Sequence, residues 1–175
     1  MKKLLEFIIL GLLLSGCVTK VATIQAESKL SKDAINFKIP ENKSRIYFLA
    51  GSCDAPLKKW TCAGAGGIFL NQKYIGGLYK KDVMVADIKP DDYEISWNFN
   101  ANYQKKSFGI ENIPLDIKLE SGDFIIVRLS ILQGGGAVFG LLGAGIEPDK
   151  YVVQIIKDKT LVTNKNIIVP LISLP

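Results

Sequence analysis

The chain has 175 residues, 48% of them hydrophobic and 22% charged, with a formal net charge of +5. That length suits one domain, and that composition buries a core, which excludes wholesale disorder. Histidine is absent, which excludes Ser-His-Asp triads, Cys-His pairs, His metal clusters and imidazole proton shuttles, the commonest general-base arrangements.

Residues 1–16 open with Lys2-Lys3 and continue through Leu4 to Leu14, an apolar stretch broken only by Glu6 and Gly11. The stretch is shorter than the roughly 20 apolar residues of a membrane-spanning helix, and it fits a secretory signal. It ends in Leu14-Ser15-Gly16-Cys17. Here the segment resembles the signal of bacterial lipoproteins, whose lipobox has Leu, two small residues and then Cys. The resemblance implies cleavage before Cys17, diacylglycerol on the Cys17 sulfur and acylation of the new amino group, so that the membrane is a partner through that lipid. Three acyl chains hold far more firmly than one, since each buried methylene contributes about 0.8 kcal/mol. Val18, where Asp would retain such proteins at the inner membrane, implies the outer membrane facing the periplasm in a Gram-negative cell. The competing readings are an ordinary signal peptide and an N-terminal helix with a chance Cys.

Removal of residues 1–16 takes away Lys2, Lys3 and Glu6 and brings the net charge to +4. Val18 to Asp33 is polar, so Cys17 and this stretch (17–33) are expected to form a flexible tether. Its sixteen residues as a coil would span roughly 20–25 Å. A single domain over 34–175 is expected to begin at the alternating Ile35, Phe37 and Ile39. Cys53 and Cys62 remain as a pair. Outside the cytoplasm such a pair forms a disulfide, and on the loop-entropy model the ring is worth roughly 2.5–3 kcal/mol. Free thiols, a redox pair and metal ligands are the alternatives. The redox spacing Cys-x-x-Cys and a four-ligand zinc set are both missing.

From there the hydrophobic period is two. Arg45 to Ala50 is a β-rich run. Ile68-Phe69-Leu70 and Tyr74-Ile75-Gly76 flank Asn71-Gln72-Lys73 as a hairpin, and Val83 to Ile88 precedes a turn at Lys89-Pro90-Asp91-Asp92. Tyr93, Ile95, Trp97 and Phe99 alternate with Glu94, Ser96, Asn98 and Asn100 as a half-buried strand. Ile113, Leu115, Ile117 and Leu119 repeat that alternation. Phe124 to Leu132, Tyr151 to Ile156 and a weaker run over Ile167 to Leu174 follow. These short runs predict an all-β fold, a single antiparallel β-sandwich or barrel-like domain.

The region from Arg45 to Ile156 resembles a family of bacterial lipoproteins carrying a β-rich domain of unknown function. The resemblance rests on four features in order: Arg45-Ile46-Tyr47-Phe48; the hairpin from Gly67 to Gly76; the turn and strand from Ile88 to Ile95; and Ser121-Gly122-Asp123-Phe124. Family members commonly have Pro-Gly-x-Tyr where this chain has Pro90-Asp91-Asp92-Tyr93. The resemblance implies location and architecture and supplies no catalytic residues.

Constellations that could carry chemistry are weak. The glycines of Gly134 to Gly140 lack the βαβ unit of a dinucleotide site. Asp91-Asp92 reads as turn chemistry rather than as a glycosidase pair. Tyr47, Tyr74, Tyr93 and Trp97 either line a groove for sugars or peptides or pack in the core and on sheet faces. The basic runs are only pairs (Lys58-Lys59, Lys80-Lys81, Lys105-Lys106), so no nucleic-acid partner is expected, and neither a metal nor a cofactor is. Gly134 to Ile146 is uncharged and glycine-rich. Its Val138, Phe139, Leu141 and Leu142 either plug one end of the core or form a docking loop for a membrane or partner. The expected function is therefore a non-enzymatic binding or structural module in the cell envelope, with an envelope protein as candidate partner. A subunit of a secretion or surface assembly and a hydrolase using carboxylates alone are the alternatives.

Overall fold

The structure is a computed structural model that describes residues 24–50, 66–78, 82–98, 106–107, 110–132, 150–163, 165–171 and 174. In chain order the elements are β1 (Ile24–Gln25), α1 (Ser28–Ile35), β2 (Ser44–Ala50), β3 (Gly66–Leu70), β4 (Lys73–Leu78), β5 (Asp82–Ile88) and β6 (Asp92–Asn98). Then come β7 (Lys106–Ser107), β8 (Ile110–Ile113), β9 (Leu115–Lys118), β10 (Phe124–Leu132), β11 (Lys150–Ile156), α2 (Thr160–Thr163) and β12 (Asn166–Val169). Strands dominate, as the period of two predicts. They form a larger sheet in the order β1-β12-β5-β2-β10-β11-β8-β7 and a smaller one in the order β4-β3-β6-β9.

The smaller sheet is antiparallel throughout. The larger sheet is mixed, which corrects the antiparallel expectation: β2 with β10, β8 with β11 and β5 with β12 all run parallel. Parallel neighbours need a long crossover. Between β2 and β10 the chain builds all four strands of the smaller sheet, and β5, β7 and β8 of the larger one among them, before β10 pairs with β2 in the same direction.

One core lies between the sheets, joining Ile46, Phe48, Met84 and Val127 of the larger to Ile68, Ile75, Tyr93, Ile95 and Trp97 of the smaller. A second covers the other face of the larger sheet. There Tyr47, Leu49, Val83 and Val85 meet Ala34 of α1 and Val162 of α2. The central strand β2 is covered on both sides, which is why it reads as a continuous apolar run. Trp97 ties the two sheets, its indole N–H donating to the Val152 carbonyl at 3.0 Å.

Three details depart from the sequence reading. The span 17–33 is not tether to its end. Ile24 and Gln25 pair with Val169 and Ile168, and α1 begins at Ser28. Ile35 closes that helix instead of opening a strand, and Phe37 follows in the left-handed region at φ 55°. The end is a Schellman motif, with Lys38 N–H donating to the Asp33 carbonyl at 2.8 Å and Phe37 N–H to that of Ala34 at 3.1 Å. Next, the alternation from Ile113 to Leu119 is two strands. Pro114 brings no N–H to a ladder, and the chain leaves the larger sheet at Ile113 to enter the smaller at Leu115. Last, Ser96 and Asn98 are as buried as Ile95, so of the described residues Glu94, Ser96 and Asn98 only Glu94 reaches solvent.

The hairpin is confirmed. Asn71 (φ 48°) and Gln72 (φ 64°) form its two-residue tip, the geometry that suits tightly twisted hairpins. The Asn71 side chain also accepts the Glu94 N–H at 2.8 Å, clipping the tip to β6.

Candidate functional site

The least expected group in the fold is Arg45. β2 directs it to the helix-covered side of the larger sheet, directly opposite Asp87 of β5. Its Nε donates to Oδ1 of Asp87 at 2.5 Å and its Nη2 to Oδ2 at 2.8 Å. Arg45 is fully buried, whereas the Asp87 side chain is 19% exposed. Nη1 is buried and has no hydrogen-bond partner. Two residues along the same face, the Tyr47 ring centroid lies 5.9 Å from the guanidinium carbon, and Tyr47 Oη donates to the Ala34 carbonyl at 2.9 Å. Burial alone would lower the Arg45 pKa, but its hydrogen bonds and charge interactions with Asp87 and Tyr47 hold it above the ordinary value. Burial pushes the Tyr47 hydroxyl up. The chain Asp87–Arg45–Tyr47–Ala34 thus runs from β5 across β2 to α1 and pins the helix to the sheet.

Asp87 also meets solvent. With Ile24, Leu30, Val169, Pro170 and Leu171 among its neighbours, it lines an open cleft of about 380 Å³. The cleft exists because the chain peels away from β5 after β12, and Leu171 N–H donates to the Ile75 carbonyl of β4 instead, at 2.8 Å.

A second candidate lies on the smaller sheet. Glu94 and Asp116 stand directly opposite each other across β6 and β9, next to the pair Asp92 and Lys118. With Tyr93 and Ile117 they line an open groove of about 450 Å³. Facing carboxylates are the raw material of a glycosidase, but this pair sits on an open sheet face rather than in an enclosed site. Asp91 and Asp92 belong to the preceding turn, where the Asp91 carboxylate accepts the Asp92 N–H at 2.8 Å.

Of the four aromatic residues singled out in the sequence, Tyr47, Tyr93 and Trp97 lie in the two cores and Tyr74 in neither. Tyr93 and Trp97 pack between the sheets, with Tyr93 Oη donating to the Lys89 carbonyl at 2.8 Å. Tyr74 meets Phe69 edge-on. Tyr47 lies on the opposite side of the larger sheet with Phe37 and Phe124, at centroid distances of 5.1 and 6.1 Å. They do not line one groove. Lys159 places its ammonium 5.1 Å from the Phe37 ring and 4.7 Å from the Phe124 ring.

No protein-family model matches the chain, and no curated protein matches it.

Cys17, Cys53, Cys62 and the segment bearing Val138, Phe139, Leu141 and Leu142 lie outside the described residues. Among the described residues no group of three or more His, Cys, Asp or Glu side chains is placed to hold a metal ion. No described helix is long and apolar enough to cross a membrane. Sequence reasoning missed the Arg45–Asp87 pair and the Lys159 contact. The signal for the first was available: one arginine heading the apolar run Ile46 to Ala50, and one aspartate inside Val83 to Ile88. A charge in a strand covered on both faces needs a partner.

Proposed function

We propose that this chain is a lipid-anchored cell-envelope protein, a β-sandwich held at a membrane through Cys17 that serves as a binding or structural module rather than an enzyme. The observation that carries the proposal is Leu14-Ser15-Gly16-Cys17 at the end of a short, positively headed apolar segment. The use of polar side chains supports it. Arg45, Asp87, Tyr47 and Trp97 each tie one element to another, which suits a rigid scaffold. Packing between two sheets with paired inner faces supports the sandwich reading over a closed barrel.

The test is the mass of the mature N-terminus together with detergent phase partitioning. The wild-type chain is expected to begin at Cys17 with the mass of its acyl groups and to enter the detergent phase, while Cys17→Ala remains an uncleaved or soluble precursor. An unmodified Cys17, or detergent partitioning unchanged in the variant, overturns the anchor.

A further inference from the structure

The described part of the molecule carries its charge unevenly. The segments 24–43 and 157–165, which include both helices, hold seven lysines against Glu27, Asp33, Glu41 and Asp158, a formal net charge of +3. The mature chain as a whole carries only +4. Both helices pack on the same side of the larger sheet, since Ala34 of α1 and Val162 of α2 share one core cluster. Around the groove on the smaller sheet, Asp92, Glu94 and Asp116 face Lys118. The helix-bearing segments are thus clearly basic, whereas the strands of the smaller sheet carry Lys73 and Lys118 against Asp92, Glu94 and Asp116, a formal net charge of −1.

Lys29, Lys32, Lys38, Lys157 and Lys159 are all exposed on the basic side. Two large aliphatic side chains there also stand in solvent, Ile24 at 45% and Leu161 at 38% exposure. Exposed lysines interspersed with aliphatic groups suit an anionic bilayer surface, where each lysine close to the headgroups contributes about a five-fold gain in binding. The position of the anchor makes the same point independently. Ile24 is seven residues from Cys17, so even a fully extended chain places it no more than about 25 Å from the lipidated residue. The paired strand β1 and the helix that follows are therefore tethered within about 25 Å of the lipidated residue, so the helix-covered side can settle to within the roughly 10 Å over which the surface potential acts.

We propose that the helix-covered side of the larger sheet, presented by α1 and α2, lies against an anionic phospholipid surface, with the smaller sheet, which has no excess of positive charge, turned away from it. This orientation rests on the lipid anchor at Cys17. It gives the open groove on the smaller sheet to the aqueous side.

Lysine labelling of the whole mature protein tests it without any substitution. The protein is reconstituted on vesicles of phosphatidylglycerol and phosphatidylethanolamine, or of phosphatidylcholine alone, and treated with a water-soluble amine-acylating reagent. Mass spectrometry then gives the labelling rate of each lysine. Lys29, Lys32, Lys157 and Lys159 are expected to label at least about five-fold more slowly on the anionic vesicles and to recover in high salt. Lys73 and Lys118 should label equally on both. Uniform labelling, protection of Lys73 and Lys118 instead, or equal protection on phosphatidylcholine overturns the orientation. The same spectra report the mass of the Cys17 peptide. A chain without acyl groups overturns the anchor, and protection of the four lysines on anionic vesicles then still decides the face.

Discussion

Removal of the Asp87 carboxylate should be among the most damaging single changes in the fold. Arg45 has no solvent exposure, and its Nε and Nη2 both donate to Asp87. In Asp87→Ala the guanidinium stays charged in a site that already leaves Nη1 unpartnered. Breaking a buried pair in this way costs roughly 3–5 kcal/mol. The 19% exposure of Asp87 lets some water in after truncation, so the low end, about 3 kcal/mol, is expected. Arg45→Met should cost less, about 1–2 kcal/mol, because the carboxylate left behind reaches the cleft and its water. In Asp87→Ala/Arg45→Met no buried charge remains, and this double variant should recover most of the loss. Equilibrium urea unfolding followed by tryptophan fluorescence, run as a double-mutant cycle, gives the coupling directly. A loss below about 1 kcal/mol for Asp87→Ala, or additive single changes, refutes the reasoning.

Phe37 occupies the left-handed region while its ring packs on Tyr47 and Phe124. Phe37→Ala loses the ring and keeps the backbone strain, whereas Phe37→Gly loses the ring but relieves the strain. Urea melts should therefore show alanine less stable than glycine by about 1 kcal/mol, and the reverse order defeats this account. A Cβ at Gly66 would lie 2.7 Å from Cε3 of Trp97. The indole is held by its bond to Val152, so Gly66→Ala should cost about 1–3 kcal/mol, and an unchanged melting temperature would show that the indole can move. The Tyr47 and Tyr93 hydroxyls are both raised by burial, Tyr93 also by the Asp91 charge. Their contribution is complete below the unfolded tyrosine value near 10 and is lost as pH rises through the folded values. Stability should fall above about pH 10, and Tyr47→Phe should make that fall shallower while costing about 1 kcal/mol at neutral pH. A pH profile identical to wild type excludes Tyr47 as its source.

The strands most easily read in the sequence were those whose burial follows the period of two or fills both faces. Arg45 to Ala50, Val83 to Ile88, Phe124 to Leu132 and the hairpin at Asn71 all fall within a residue or so of the observed limits. Helix α1 escaped because it offers only Leu30, Ala34 and Ile35 as an apolar stripe, and its cap, Glu27, makes no side-chain hydrogen bond. Its support is tertiary, through the Tyr47 hydroxyl and the Schellman turn at Phe37. Strand direction was equally hidden, because the pattern inside β10 is the same whether its neighbour runs parallel or antiparallel. Of the candidate site, the turn role of Asp91 was visible in the sequence. The pairing of Arg45 with Asp87 depends on a register between residues 42 positions apart, which no local pattern reports.

The pairing of β1 with β12 has a consequence for how the chain reaches this fold. Gln25 donates to the Ile167 carbonyl across 142 positions of sequence, so almost the whole chain must be present before the two ends can meet. The central partner of β2 is likewise β10, not a strand near it in sequence. Contacts this distant place the fold among slow, millisecond-to-second folders. A chain made N-terminus first carries β2 and β5 for a long interval before β10 and β12 arrive to flank them. During that interval the β5 run from Val83 to Ile88 is an open, apolar edge of the kind that recruits strands from other molecules. Assembly factors that recognise unpaired strands would therefore meet this protein before its ends join, and truncation of the last ten residues would expose the same edge permanently.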